Sequence, residues 1–79
     1  MRSDKIRCLI IDDDPFILEL LKDKLNQHFP TVEILSTANS GAEGIQKIAA
    51  YKPELVFLDV EMADMTGFEM LVQVKDIDF

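Results

Sequence analysis

An α/β fold, with a parallel sheet covered by helices on both faces, is what this sequence predicts, and three observations carry the prediction. Apolar β-branched segments alternate three times with amphipathic helical ones, the pattern of right-handed strand-helix-strand crossovers. The apolar segments run without clean alternation, as strands buried on both faces do. The first is followed by Asp12 and Asp13 and the third ends on Asp59, which puts carboxylates where the strands of such a sheet finish.

IRCLII, residues 6 to 11, is the first such segment and reads as a central strand. In the DDDPFILELLKDKLNQHF that follows, Pro15 suits the first helical position and an aspartate just before it can cap the free N–H groups. Ile17, Leu20, Leu21, Lys24 and Leu25 recur at helical spacing, which predicts a helix over residues 15 to 28 with Glu19, Lys22, Asp23 and Asn26 on another face. VEILST, residues 32 to 37, reads as the second strand. Ser40 and Glu43 have the spacing of a capping box and open a helix with Ala42, Ile45, Ile48 and Ala49 inward. Pro53 stops it near Tyr51 or Lys52. ELVFLD, residues 54 to 59, is the most continuous apolar strand, and Thr66 with Glu69 repeats the capping box at the start of a third helix bearing Phe68, Leu71, Val72 and Lys75. No internal repeat, low-complexity tract or linker interrupts the 79 residues.

Composition narrows the function classes. The chain is 48% hydrophobic and 29% charged, a globular balance, but at this length only ~60% of the unfolded surface is buried on folding. A net charge of -7 with no basic cluster sets aside nucleic acid and anionic membranes as direct partners. Cys8, the single cysteine, lies inside an apolar run and supports neither a disulfide framework nor a thiolate metal site, so it reads as a packing thiol. His28, the single histidine, sits in a last helical turn with no second histidine to share a metal. No segment is long enough to span a bilayer, and a reducing cytoplasm is the simplest compartment.

In an open parallel sheet the loops leaving the carboxyl ends of the strands emerge on one edge, where ligands bind. If the first and third strands are neighbours, Asp12, Asp13 and Asp59 converge there. Converging like charges raise one another's pKa and call for a cation, and magnesium suits a few carboxylates joined by water and a phosphoryl oxygen. One aspartate of such a set can also attack a phosphoryl group and form an acyl phosphate. Met62, Met65 and Met70 have no Cys or His beside them, which favours packing over soft-metal ligation. A calcium loop starting at Asp59 fails, with Asp64 where glycine is needed and Met70 where a bidentate acid is needed.

LIIDDDP followed by LVFLDVEMADMTGFEML resembles the N-terminal part of the receiver domains of two-component response regulators. That resemblance implies a flavodoxin-like doubly wound sheet of order 2-1-3-4-5, represented here by (βα)3 in order 2-1-3. It implies that Asp59 is the phosphoacceptor for a sensor histidine kinase, that Asp12 and Asp13 hold Mg2+, and that Glu61 offers the metal its backbone carbonyl. Asp14 falls where the family often has another acid, with helix capping as its expected role. Ala63 stands where receivers often have proline. The Ser or Thr ending a fourth strand and the Lys ending a fifth would lie beyond Phe79, so residues 1–79 are expected to be a partial receiver domain with impaired phosphotransfer and an unpaired third-strand edge able to form a homodimer. Two other readings compete: a receiver-like interaction module that does not take up phosphate, and a fragment of an aspartate-nucleophile phosphatase using Glu61 as general acid.

Overall fold

The computed structural model of the chain describes residues 5–74. Six elements follow one another as β1 (Ile6–Ile11), α1 (Pro15–His28), β2 (Val32–Ala38), α2 (Gly41–Tyr51), β3 (Leu55–Leu58) and α3 (Gly67–Gln73). The strands form one parallel sheet in the order β2-β1-β3. The expected three-stranded flavodoxin-like arrangement is therefore present, with β1 in the centre.

Side chains along β1 alternate between two cores, as the pleat requires. Leu9 and Ile11 join Ala38, Ile48, Met62 and Met70 on the face covered by α2 and α3. Ile10 joins Leu18 and Leu25 on the α1 face. Four consecutive β1 residues, Cys8 to Ile11, are buried, whereas all four residues of β3 are only half-buried because β3 lies at the sheet edge. Cys8 is a free thiol whose pKa is pushed up by burial, the state of a packing cysteine. One extra residue in β2, Leu35, shifts the β1–β2 register between Cys8 and Leu9.

Helix ends follow their capping chemistry, while helix faces differ from the expected ones. The Asp14 carboxylate accepts from the Phe16 N–H, and Pro15 occupies the first turn of α1. The buried stripe of α1 runs through Leu18, Leu21 and Leu25, and Leu20 points outward at 43% exposure. On α2 the buried positions are Gly41, Gly44 and Ile48, while Ala42 and Ala49 are exposed. Gly44 is buried because Ile11 and Met70 close over it: a Cβ there would lie 2.9 Å from the Ile11 side chain. Lys52 ends α2 in the left-handed region (φ 48°), and Arg7 of β1 reaches across to the last α2 carbonyls, donating to the oxygens of Tyr51 and Lys52. On α3 the fully buried residue is Met70, and Phe68 and Val72 are exposed. Lys75 lies outside the described residues. Among those described, no helix is long and apolar enough to cross a membrane.

Candidate functional site

The strand order brings two strand ends together. The β1–β3 register pairs Ile11 with Leu58, and one step further Asp12 and Asp59 leave the sheet side by side. The Asp59 N–H donates to the Ile11 carbonyl at 2.9 Å, and the Asp12 N–H donates to the Ala38 carbonyl at 3.0 Å. Both aspartates are thus fixed by backbone bonds of the sheet. Asp13 follows directly, and one carboxylate oxygen each from Asp12, Asp13 and Asp59 lies within 4.8 Å of the others. Such a spacing costs roughly 1 to 4 kcal/mol per like-charged pair, depending on how far water screens it. A cation held among the three would relieve that repulsion.

Local hydrogen bonds orient the three acids. Asp12 Oδ1 accepts from the Asp14 N–H at 2.9 Å, which forms the turn into α1. Asp13 Oδ2 accepts from the Ala63 N–H at 2.8 Å, joining the loop after β1 to the loop after β3. The Asp12 pKa is raised, first by burial, against the lowering effect of the Asp14 N–H, and then by the negative charges of Asp59, Asp13 and Asp14.

The loop from β3 to α3 is fastened at several points. Glu61 pairs with Thr66 in an isolated antiparallel bridge, and the Gly67 N–H donates to the Val60 carbonyl at 2.6 Å. Thr66 and Glu69 form a complete capping box on α3. Asp64 reaches away from the site to the start of α2, where Oδ1 accepts from the Gly41 N–H and Oδ2 from the Ala42 N–H, each at 3.0 Å. These two bonds lower its pKa. Gly67 lies so close under the strand end that a Cβ would stand 2.5 Å from the Asp59 carbonyl oxygen.

Asp12, Asp13 and Asp59 therefore come together as the sequence suggests, and Asp14 caps α1. The Glu61 side chain is not in the cluster. The Asp13–Ala63 bond, the Asp64 grip on α2 and the close seat of Gly67 were not foreseen. The first two join residues far apart along the chain, 50 for Asp13 and Ala63 and 23 for Asp64 and Gly41, where no spacing rule applies. Only the Thr-Gly break after Asp59 hints at the third.

The fold thus sets an acidic trio at the carboxyl edge of a 2-1-3 parallel sheet, with Asp59 just past the third strand. The family model of the response regulator receiver domain matches residues 8–78, and the chain belongs to that family. It is 42% identical over 69 residues to a protein-glutamate methylesterase/protein-glutamine glutaminase of Geobacillus kaustophilus, covering 87% of this chain and 20% of that protein. The response regulator domain of Thermotoga maritima CheB superposes with a TM-score of 0.79 at 33% identity, over 85% of this chain and 49% of the other. A chain of the CheX-CheY-BeF3-Mg+2 complex from Borrelia burgdorferi gives 0.73 at 29% identity, over 84% of this chain and 49% of that one. The chain thus spans about half the length of these solved structures and about a fifth of the methylesterase.

Proposed function

We propose that this chain is a signalling receiver module in which Asp59 accepts a phosphoryl group from the phosphohistidine of a sensor histidine kinase in a Mg2+-dependent reaction. The observation that carries this reading is the trio of Asp12, Asp13 and Asp59, gathered within 4.8 Å at the strand ends.

The donor set fits magnesium. All ligand atoms are hard oxygens, and 4.8 Å is a little more than the ~4.2 Å between opposite ligands of an octahedral ion with bonds of ~2.1 Å. Asp13 and Asp59 would bind directly, Asp12 through water, and Glu61 through its backbone carbonyl. When bound, the ion neutralises the carboxylates and the oxygens of the incoming phosphoryl group. Asp13 keeps one oxygen on the Ala63 N–H and has the other for the cation. Asp59, held by the Ile11 carbonyl through its own N–H, presents its carboxylate to the phosphorus. Its oxygen forms the new bond to phosphorus while the bond to the imidazole nitrogen breaks, so the histidine departs with its electron pair and the aspartyl phosphate remains.

The chain acts here as an acceptor and not as a turnover enzyme. We assign it to the cytoplasm, where a buried free thiol such as Cys8 stays reduced. A second reading, a receiver-shaped interaction module without phosphotransfer, is favoured by the exposed apolar groove of Leu58, Val60, Phe68 and Leu71 beside β3. Two measurements separate them. Magnesium titration should show weak, roughly millimolar binding, worth about 4 kcal/mol, that Asp59→Asn diminishes. Labelling by acetyl phosphate should require magnesium, vanish in Asp59→Ala, and persist in Asp14→Ala, which loses only a helix cap worth about 1 kcal/mol. Absence of labelling in a folded, magnesium-binding chain would leave the interaction module as the function.

A further inference from the structure

Ala63 and Asp64 are adjacent in the loop after β3 and are held from opposite sides. The Ala63 N–H is bound to Asp13 of the acidic trio, while both oxygens of Asp64 are bound to backbone amides of α2. We propose that Asp64 is a positioning residue for the acidic site: by clamping the loop to the first turn of α2, it holds the Ala63 N–H against Asp13. The proposal rests on the reading that Asp13 helps hold a cation.

Capping of α2 does not by itself explain Asp64. That helix already has its own cap, since Ser40 Oγ accepts from the Glu43 N–H and the Glu43 carboxylate turns back to the Asn39 N–H. The N–H groups of Gly41 and Ala42 are the donors left over at this terminus, and the loop takes both through one carboxylate. Charge-assisted bonds to two adjacent amides fix the direction of a carboxylate as well as its position. Packing adds a second contact at the same place. A Cβ on Gly41 would lie 2.3 Å from Met65 Cγ, so residue 65 occupies the space that a side chain at position 41 would need. The loop is thus seated on α2 by residues 64 and 65 and delivers the neighbouring amide to Asp13.

An N–H on one oxygen of Asp13 limits the rotation of that carboxylate and leaves the other oxygen for a cation. Outer partners of this kind commonly change metal affinity by about 10-fold or more when removed. Asp64 lies outside the acidic trio, so its effect on a cation would pass through Ala63 and Asp13.

The test uses the 79-residue chain and three variants, Asp64→Ala, Asp64→Asn and Ser40→Ala, with two readouts: hydrogen exchange of the Ala63 amide without metal, and magnesium affinity from amide shifts during titration. Asp64→Ala is expected to speed Ala63 exchange and weaken magnesium binding, each by about 10-fold. Asp64→Asn, which keeps one acceptor oxygen, should recover part of both. Ser40→Ala weakens the α2 terminus without touching the loop and should leave both near wild type. Equal effects of Asp64→Ala and Ser40→Ala would reduce Asp64 to a helix cap and overturn the proposal. If Asp64→Ala does not fold, wild-type exchange and affinity in Asp64→Asn overturn it equally. A wild-type chain indifferent to magnesium would count against the metal site, and the exchange comparison alone would then decide the clamp.

Discussion

Asp12 carries two demands that pull against each other. Its N–H completes the sheet to Ala38 while its carboxylate stands beside Asp13 and Asp59, and burial together with those charges raises its pKa. A carboxyl with a raised folded-state pKa favours the folded chain most at low pH, and that contribution is lost as pH rises through the raised value. Without metal, Asp12→Asn should therefore melt higher than wild type at neutral pH. The gain should shrink as pH falls into the ordinary carboxylate range, and saturating magnesium should reverse the order, because the ion stabilises the wild-type carboxylate. Thermal melts across pH, with and without magnesium, check all three statements. Asp64 has the opposite sign: two backbone N–H donors lower its pKa, so its contribution is present above the ordinary carboxylate range and fades on acidification. The three acids were legible because each stands at the end of an apolar run, a local signal. The Asp13–Ala63 bond was not, because nothing near either residue marks the other.

Helix and strand limits were legible to within a residue or two, because caps are local chemistry. Ser40, Thr66 and Asp14 each bind an amide two or three residues ahead. The Glu43 half of the first capping box binds Asn39 instead of Ser40, a shift of one residue that spacing does not reveal. Faces were harder to read. Periodicity places Ala42, Ile45 and Ile48 on a stripe of α2, but the sheet packs the helix closely on its glycines, and Gly44 faces Ile11 and Met70. For α3, Phe68 is larger than Met70, yet Met70 points into the core while Phe68 stands beside the β3 edge at 69% exposure. The junction of β3 and α3 is the tightest of these contacts. Gly67→Ala would press a methyl against the Asp59 carbonyl oxygen, a backbone atom that cannot swing away. We expect a loss of about 1 to 3 kcal/mol in urea unfolding, with the Asp59 amide resonance displaced. Loss of the neighbouring cap in Thr66→Ala should cost about 1 kcal/mol and leave that resonance in place.

β1 is covered on both sides and paired on both edges, whereas among the described residues β2 and β3 each have an unpaired outer edge, that of β3 flanked by exposed Val60 and Phe68. An apolar edge of this kind invites pairing with another chain. The 79-residue chain by itself is expected to associate with concentration, most simply as a two-fold dimer in which two β3 edges meet. Its net charge of -7 opposes that contact, so added salt should strengthen it. Sedimentation across micromolar concentrations at low and high salt provides the measurement, and a monomeric mass with a cooperative thermal transition would contradict the expectation. A variant carrying Phe68→Lys should shift the balance toward monomer, since a charge would then stand beside the edge.

Alternation of unbroken apolar runs with capped amphipathic helices was enough, read as sequence, to determine the parallel α/β class, the element limits and the identity of the three acids. Those features depend on neighbours a few residues apart, and the physics that sets them is local: backbone capping, helical period and strand burial. The tertiary structure alone decided how the loop over those acids is held and which side chains fill the core. Each of these depends on β1 lying between β2 and β3, an order that sets Asp12 beside Asp59 and brings residue 64 to the start of α2. Contacts of that kind arise from packing between segments distant in the chain, and no periodicity within either segment encodes the other.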